Sequence, residues 1–408
     1  MSSRTDRNHS VVGASQRSSS AVAGLGRRVL VLAVTVVATI GAAPVASAHS
    51  GHVYVNGVHL SQWYGLIPLV LGIGIALGSR YLPALLRPQH AQYALYSVFF
   101  GLVVAVFGAI WIVQLSPYEW LTAQPVIPRA LHAPLMFLAG SVIMLASVIG
   151  GQLKWPTRPR YAGLGVLLGL WVAYPGLSAV GVYTETNPLG YLIVFGLVVA
   201  LGYVLWRDAR GLLGRLSADR AARRFGIAVG LLAVVFFMFS SGMLYLLPDD
   251  GVGVSLSEPI VAVLPVADPL VLWPAIEFWY PQLPLGGMVS VGTALLIVTF
   301  GGLIGLNAAL FAFQWRGTHS GGLSQTTAGI AVIAAPQACC CCGPMLSQIA
   351  VVTLGPSAAA PLYLLFADPS SSIGSLFFVA SVAILAGTLV NAAGATTDAE
   401  PEQCVVPA

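Results

Sequence analysis

Long apolar runs alternate with short polar or proline-bearing segments from residue 61 almost to the end of the chain. Seven runs are plain, at 61–79, 91–115, 133–153, 162–183, 189–206, 225–247 and 287–313. Each is close to the ~20 apolar residues that carry an α-helix through the ~30 Å hydrocarbon core of a bilayer. A further apolar stretch, 323–366, reads as one broken helix plus a surface segment or as two helices, and a last run covers 373–394. Hydrocarbon offers backbone N–H and C=O groups no water, so such runs cross as helices that satisfy their own hydrogen bonds. The pattern predicts an all-α fold, a polytopic helical membrane protein with nine or ten transmembrane helices in a domain over 61–394.

The first 48 residues follow a different pattern. Residues 1–28 are polar, Ser-rich and Arg-bearing, 29–43 are apolar but too short to span, and Ala46-Ser47-Ala48 supplies small residues. Charged region, apolar core and A-x-A motif together predict a secretory signal peptide over 1–48, cleaved after Ala48. The competing reading is an uncleaved first anchor. Cleavage makes His49 the first residue of the mature chain and leaves a short outer segment, 49–60, bearing His49, His52 and His59.

Composition strengthens the membrane reading. The 408 residues are 57% hydrophobic and 8% charged, against ~25% charged in an ordinary soluble domain. A soluble enzyme, a disordered chain and a nucleic-acid-binding protein are thereby excluded. The net charge of +4 arises in the first 28 residues, where five Arg meet one Asp; the rest of the chain balances.

The placement of charge then gives an orientation, because cytoplasmic loops collect Lys and Arg. With the mature N-terminus outside, the inner segments hold Arg80, Arg87, Lys154, Arg158, Arg160, Arg207, Arg210, Arg215, Arg220, Arg223, Arg224 and Arg316, and only Arg129 falls outside. Glu119, Glu185, Asp249, Asp250, Glu258, Asp268 and Glu277 fall outside. A multi-pass protein of the cell membrane is expected. The Pro-rich, aromatic outer segment 248–286 is expected to cap the outer interface. The inner basic segment 207–224 reads as a short amphipathic surface helix or a plain positive-inside anchor, and 395–408 as an acidic disordered tail. No spanning run has a charged residue near its centre, which disfavours a proton-coupled carrier. Glycines such as Gly287, Gly292, Gly301, Gly302 and Gly305 allow close helix approach, within the chain or against a membrane-complex partner.

The candidate chemistry is uncharged at rest. Four histidines, His49, His52, His59 and His132, map to the outer face, whereas His90 and His319 map inside. Imidazole suits copper, zinc and nickel. An N-terminal His49 offers its α-amine and its ring, and one more imidazole would complete a three-nitrogen copper site similar to the histidine brace of copper monooxygenases. Polar interface residues at helix starts are the plainer reading.

Cys339, Cys340, Cys341 and Cys342 are consecutive and precede Gly343-Pro344. Thiolates select Cu(I) and other soft ions. Cys339 and Cys342 share a face if helical, and a break at Gly343-Pro344 lets neighbouring thiols converge. Packing as small hydrophobes or lipidation are the competing readings. Met238, Met243 and Met345 are further thioethers. The stretch Ala335-Pro336-Gln337-Ala338-Cys339-Cys340-Cys341-Cys342-Gly343-Pro344-Met345-Leu346, followed by Leu354-Gly355-Pro356-Ser357-Ala358, resembles the vicinal-Cys first membrane helix of the mercuric transporter family. That likeness covers residues 335–358 alone and implies that Cys341 and Cys342 form the metal-receiving pair.

No catalytic motif and no phosphate-binding loop occurs, so no nucleotide is expected. Haem is not expected either, since His132 and His90 map to opposite faces. The expectation is a membrane protein that binds, and transports or otherwise handles, a soft metal ion, copper above all. Its partners would be the metal ion, membrane lipid and other members of a membrane complex, with no nucleic acid. Two alternatives stand: a subunit of a membrane enzyme or oxidase complex with copper at the mature N-terminus, or a metal-free structural or assembly protein.

Overall fold

In the computed structural model, helices cross from one end of the molecule to the other and a small β-sheet closes one of those ends. The described residues are 53–55, 58–79, 91–115, 129–177, 187–246, 258–266, 269–280, 282–283, 285–317, 349–350 and 372–398. Among them the α-helices are α1 (Leu66–Gly78, entered through a 3-10 turn over Gln62–Gly65), α2 (Ala91–Gln114), α3 (Arg129–Lys154), α4 (Pro159–Leu177), α5 (Pro188–Ala218), α6 (Arg220–Ser240), α7 (Val291–Gly317) and α8 (Ser372–Asp398). Six of them, all but α1 and α4, are long and apolar enough to cross a membrane. The chain is an all-α, polytopic membrane protein with a minor β element.

Glycine decides how the helices pair. α1 with α2, α3 with α4, and α6 with α7 form three antiparallel hairpins. A Cβ built on Gly72 would lie 2.2 Å from the Ala105 nitrogen and 2.5 Å from the Gly101 carbonyl oxygen. One on Gly140 would lie 2.5 Å from the Gly169 oxygen, and one on Gly230 2.9 Å from the Gly301 oxygen. The partner glycine meets its counterpart's carbonyl in return in each pair. Lipid gives helices little hydrophobic reason to associate, so backbone approach and its dispersion and Cα–H···O contacts supply the attraction.

The remaining two helices fill in beside these pairs. α8 runs parallel to α7, with the Phe300 and Phe378 rings 5.3 Å apart and Asn307 bonded to the Leu385 carbonyl. Trp171 of α4 stacks on Phe378 at 4.3 Å. α5 begins with Asn187 accepting from the Leu189 N–H and Pro188 in the first turn. Asp219 separates α5 from α6 and caps the latter by accepting from Ala221 and Ala222.

Strands β1 (Val53–Val55) and β2 (Val58–Leu60) form a hairpin ahead of α1. β3 (Leu244–Leu246), β4 (Ile260–Val266), β5 (Trp273–Tyr280) and β6 (Leu285–Ser290) form an antiparallel sheet in the order β3-β6-β5-β4. β6 runs into α7 without an intervening residue. The Gln114 side chain ends α2 by donating to the Phe239 and Leu244 carbonyls and accepting from the Leu246 N–H, which fixes the α6–β3 turn. On the far side Trp273 packs edge-on against Tyr191 of α5, whose hydroxyl donates to the Leu272 carbonyl.

Several expected boundaries are corrected. The sixth apolar run is helical only to Ser240 and the seventh only from Val291, because their apolar ends belong to β3 and β6. The segment expected to be a cap, 248–286, contributes two strands, β4 and β5. The basic segment 207–224 is no separate surface helix: α5 and α6 continue through it with Asp219 alone between them. At 1.5 Å per residue, the 31 residues of α5 reach about 46 Å, well beyond the ~30 Å hydrocarbon thickness. The tail expected to be disordered from 395 begins as helix, since α8 runs to Asp398. The signal segment 1–48 and most of 323–366 lie outside the described residues.

Candidate functional site

Every described Lys and Arg except Arg129 stands at the end opposite the sheet, on α3 through α7 or, for Arg158, in the turn between α3 and α4. The two ends are called here the basic end and the sheet end. Histidine appears at the sheet end.

α3 opens there with Arg129-Ala130-Leu131-His132-Ala133-Pro134-Leu135-Met136. His132 is 8% exposed and Met136 is 1% exposed, while Leu131 and Leu135 are exposed. Residues four apart stack on one helix face, so the imidazole and the thioether belong to one buried stripe that continues through Gly140. α4 closes on this stripe: a Cβ on Gly176 would strike the Ala133 carbonyl at 2.4 Å. Pro134 lies inside α3 and gives no N–H to the carbonyl four residues earlier, Ala130. His132 Nδ1 is buried and has no hydrogen-bond partner among the described residues. A buried polar atom left unpaired costs about 1–3 kcal/mol, so its retention calls for a compensating bound species or role. An imidazole nitrogen and a thioether sulfur on adjacent turns form a donor pair of the kind Cu(I) accepts.

The other predicted ligands separate from this pair or fall elsewhere. His59 is in β2 with its Cα opposite Tyr54. That hairpin belongs to the sheet end, where the Gln62 amide donates to the Ile112 carbonyl and the Trp111 indole to the Ser61 carbonyl. His49, His52 and Cys339–Cys342 lie outside the described residues, as does Met345. Met243 is buried at the α6–β3 turn, where its carbonyl accepts from Met288 N–H. Among the described residues no three of His, Cys, Asp and Glu converge.

The basic end holds a polar centre that reading the sequence by charge counts overlooked. Arg160, at the start of α4, forms a two-pronged ion pair with Asp208 of α5, and Asp208 is 6% exposed. Arg158 donates to the Tyr161 hydroxyl at 3.1 Å. Lys154 sits over the Trp155 ring at 5.1 Å, and Trp155 meets Tyr161 edge-on at 5.4 Å. The available signal was an acid embedded among the arginines of 207–224, next to Arg207. The arrangement ties α4 to α5 and leaves its surrounding cations facing the polar side.

Compared with family models, with curated proteins and with solved structures, the chain matches none.

Proposed function

We propose that this chain is a multi-pass cell-membrane protein that takes up a soft metal ion, copper above all, at its sheet end, with that end facing outside. The observation that carries the reading is the buried, unpartnered Nδ1 of His132 one helical turn from the buried Met136 thioether. The positive-inside rule supports the orientation, because the described cations gather at the opposite end. In this reading His49, His52 and His59 collect the ion outside the bilayer, His132 and Met136 hold it at the α3–α4 seam, and Cys339–Cys342 receive it as Cu(I). Copper is here the cargo, and membrane lipid surrounds the helices.

The test is Cu(I) titration of the purified full chain against a chromogenic competitor. Replacing His132 by Ala together with Met136 by Leu is expected to remove one copper per protein, and replacing Cys339–Cys342 by Ser to remove copper independently. Undiminished copper in both variants, each with wild-type thermal stability, would sink the reading.

A further inference from the structure

β4 is the outermost strand of the β3-β6-β5-β4 sheet, so its second edge has no neighbouring strand among the described residues. The register identifies the backbone groups on that edge. Pro265 stands opposite Pro274. A hydrogen-bonded antiparallel pair exchanges two N–H donors, and two prolines have none to exchange, so this is a narrow, non-bonded pair. Bonded and non-bonded pairs alternate along a ladder. Ala262 and Leu264 are therefore bonded to their β5 partners, Glu277 and Ala275. Val261 and Val263 turn their N–H and C=O groups to the free edge. Pro259, just ahead of the strand, has the same parity. The edge thus presents two donors, both from valine, bracketed by two prolines.

The side chains leave the strand equally open. Ile260 is 41%, Val261 61% and Val263 76% exposed. Successive residues point to opposite faces, so both faces of β4 are bare and apolar. Natural edge strands are blunted by charges, prolines, bulges or a covering element; Ile260–Val266 contains no charged residue, and its prolines flank the two valines without interrupting them.

What fits this edge is written in the strand itself. Pro259-Ile260-Val261-Ala262-Val263-Leu264-Pro265 reads alike in both directions about Ala262, apart from the Ile and Leu exchange. An antiparallel neighbour generated by a two-fold axis at Ala262 sets Val261 against the partner's Val263 and Val263 against the partner's Val261. Those two bonded pairs satisfy every outward N–H and C=O of the valines. Beyond them Pro259 faces the partner's Pro265, and since neither has an N–H to exchange, the pairing ends there on both sides. At the axis the two alanines form a narrow pair, where Cβ atoms approach to about 4.5–5.5 Å and a small side chain suits the approach. Registers centred on either valine leave a valine carbonyl facing a proline nitrogen.

We infer that β4 is a self-complementary docking edge, through which a second copy of this chain joins its sheet to the first in a two-fold dimer. The contact is isologous and closes on itself. With the axis along the membrane normal, both copies keep the same orientation in one bilayer. The inference stands independently of the metal reading, since it uses none of the same residues.

The experiment uses the full chain in lipid nanodiscs, with the five native cysteines replaced by serine and a single cysteine placed by Ala262→Cys. Mild oxidation is expected to give a disulfide-linked dimer, and the same treatment of Ile276→Cys, on the neighbouring strand β5 and also exposed, a monomer. Val263→Pro removes an outward N–H without touching the β5 ladder, so folding should survive. With two edge bonds lost per dimer, dimerisation should weaken by about tenfold or more. Mass photometry of the wild-type chain as a monomer would overturn the inference, whether lipid or another protein covers the edge. So would a dimer that ignores Val263→Pro and leaves Ala262→Cys unlinked, since it would then form through another surface.

Discussion

Asn307 donates from Nδ2 to the main-chain carbonyl of Leu385 at 3.1 Å, while also donating to the Leu303 carbonyl of its own helix at 2.8 Å. Its residue is 1% exposed, so the bond joins α7 to α8 in a region without water. Polar bonds between membrane helices are worth about 1 kcal/mol. Asn307→Leu is accordingly expected to lower stability by about that amount, read as a lower midpoint in thermal unfolding of the purified protein. An unchanged midpoint would show that the bond holds nothing.

The same contact, with Phe300 against Phe378 one heptad earlier on both helices, makes α7 and α8 parallel. Their C-terminal ends, Gly317 and Asp398, therefore lie at the same end of the bundle. Phosphatase and fluorescent reporters fused after either residue are expected to give the same answer, fluorescence and no phosphatase activity, if the basic end is cytoplasmic. Opposite answers from the two fusions would refute the parallel arrangement. Phosphatase activity from both would refute the orientation alone.

Gly72 and Gly74 sit two residues apart on α1 and differ in what they meet. A Cβ at Gly72 collides with the α2 backbone, while one at Gly74 finds nothing within 4 Å. Gly72→Val is expected to cost about 1–3 kcal/mol, the usual penalty of overpacking. Gly74→Val should stay near wild type. Equal thermal midpoints for the two variants would contradict the glycine seam.

Arg160 and Asp208 predict a non-additive pair. Removing Arg160 leaves Asp208 partly buried with only the Tyr161 hydroxyl and the more distant Arg158 charge in support, and losses of about 3 kcal/mol are typical of buried pairs. Asp208 is the more deeply buried of the two, so Arg160→Leu, which strands Asp208, should be the worse single change. The double variant Arg160→Leu with Asp208→Leu should recover much of the loss. A double-mutant cycle on unfolding free energies checks this, and strict additivity would argue that the two side chains act separately.

The helices were legible because a bilayer imposes one requirement, length at high hydropathy, that composition meets directly. Their ends were less legible. Leu285–Ser290 and Leu244–Leu246 are as apolar as the helices they adjoin, and a short apolar run carries no period that separates strand from buried helix. α5 was cut short because its arginines resembled a loop, although Leu212 and Leu216 keep the buried stripe running to Ala218. At the sheet end, His132 was recognisable by residue type, yet its burial and its unpaired Nδ1 come from tertiary packing that residue type does not encode. Met136 lacked any signal beyond its four-residue spacing from His132. The thiols at Cys339–Cys342 were legible as chemistry alone, and their surroundings lie outside the described residues.

The three glycine-sealed hairpins bear on how the protein is made. Each joins two helices consecutive among those described, although the β3–β6 segment intervenes between α6 and α7, and each seam is closed by main-chain contact rather than by side chains awaiting distant partners. A ribosome that has released both helices of a hairpin has supplied everything that seam needs. The protein is thereby suited to entering the bilayer in pairs, each hairpin leaving the insertion machinery already zipped. α5 and α8, which lack such a neighbour among the described helices, would be the late arrivals that lock the pairs together.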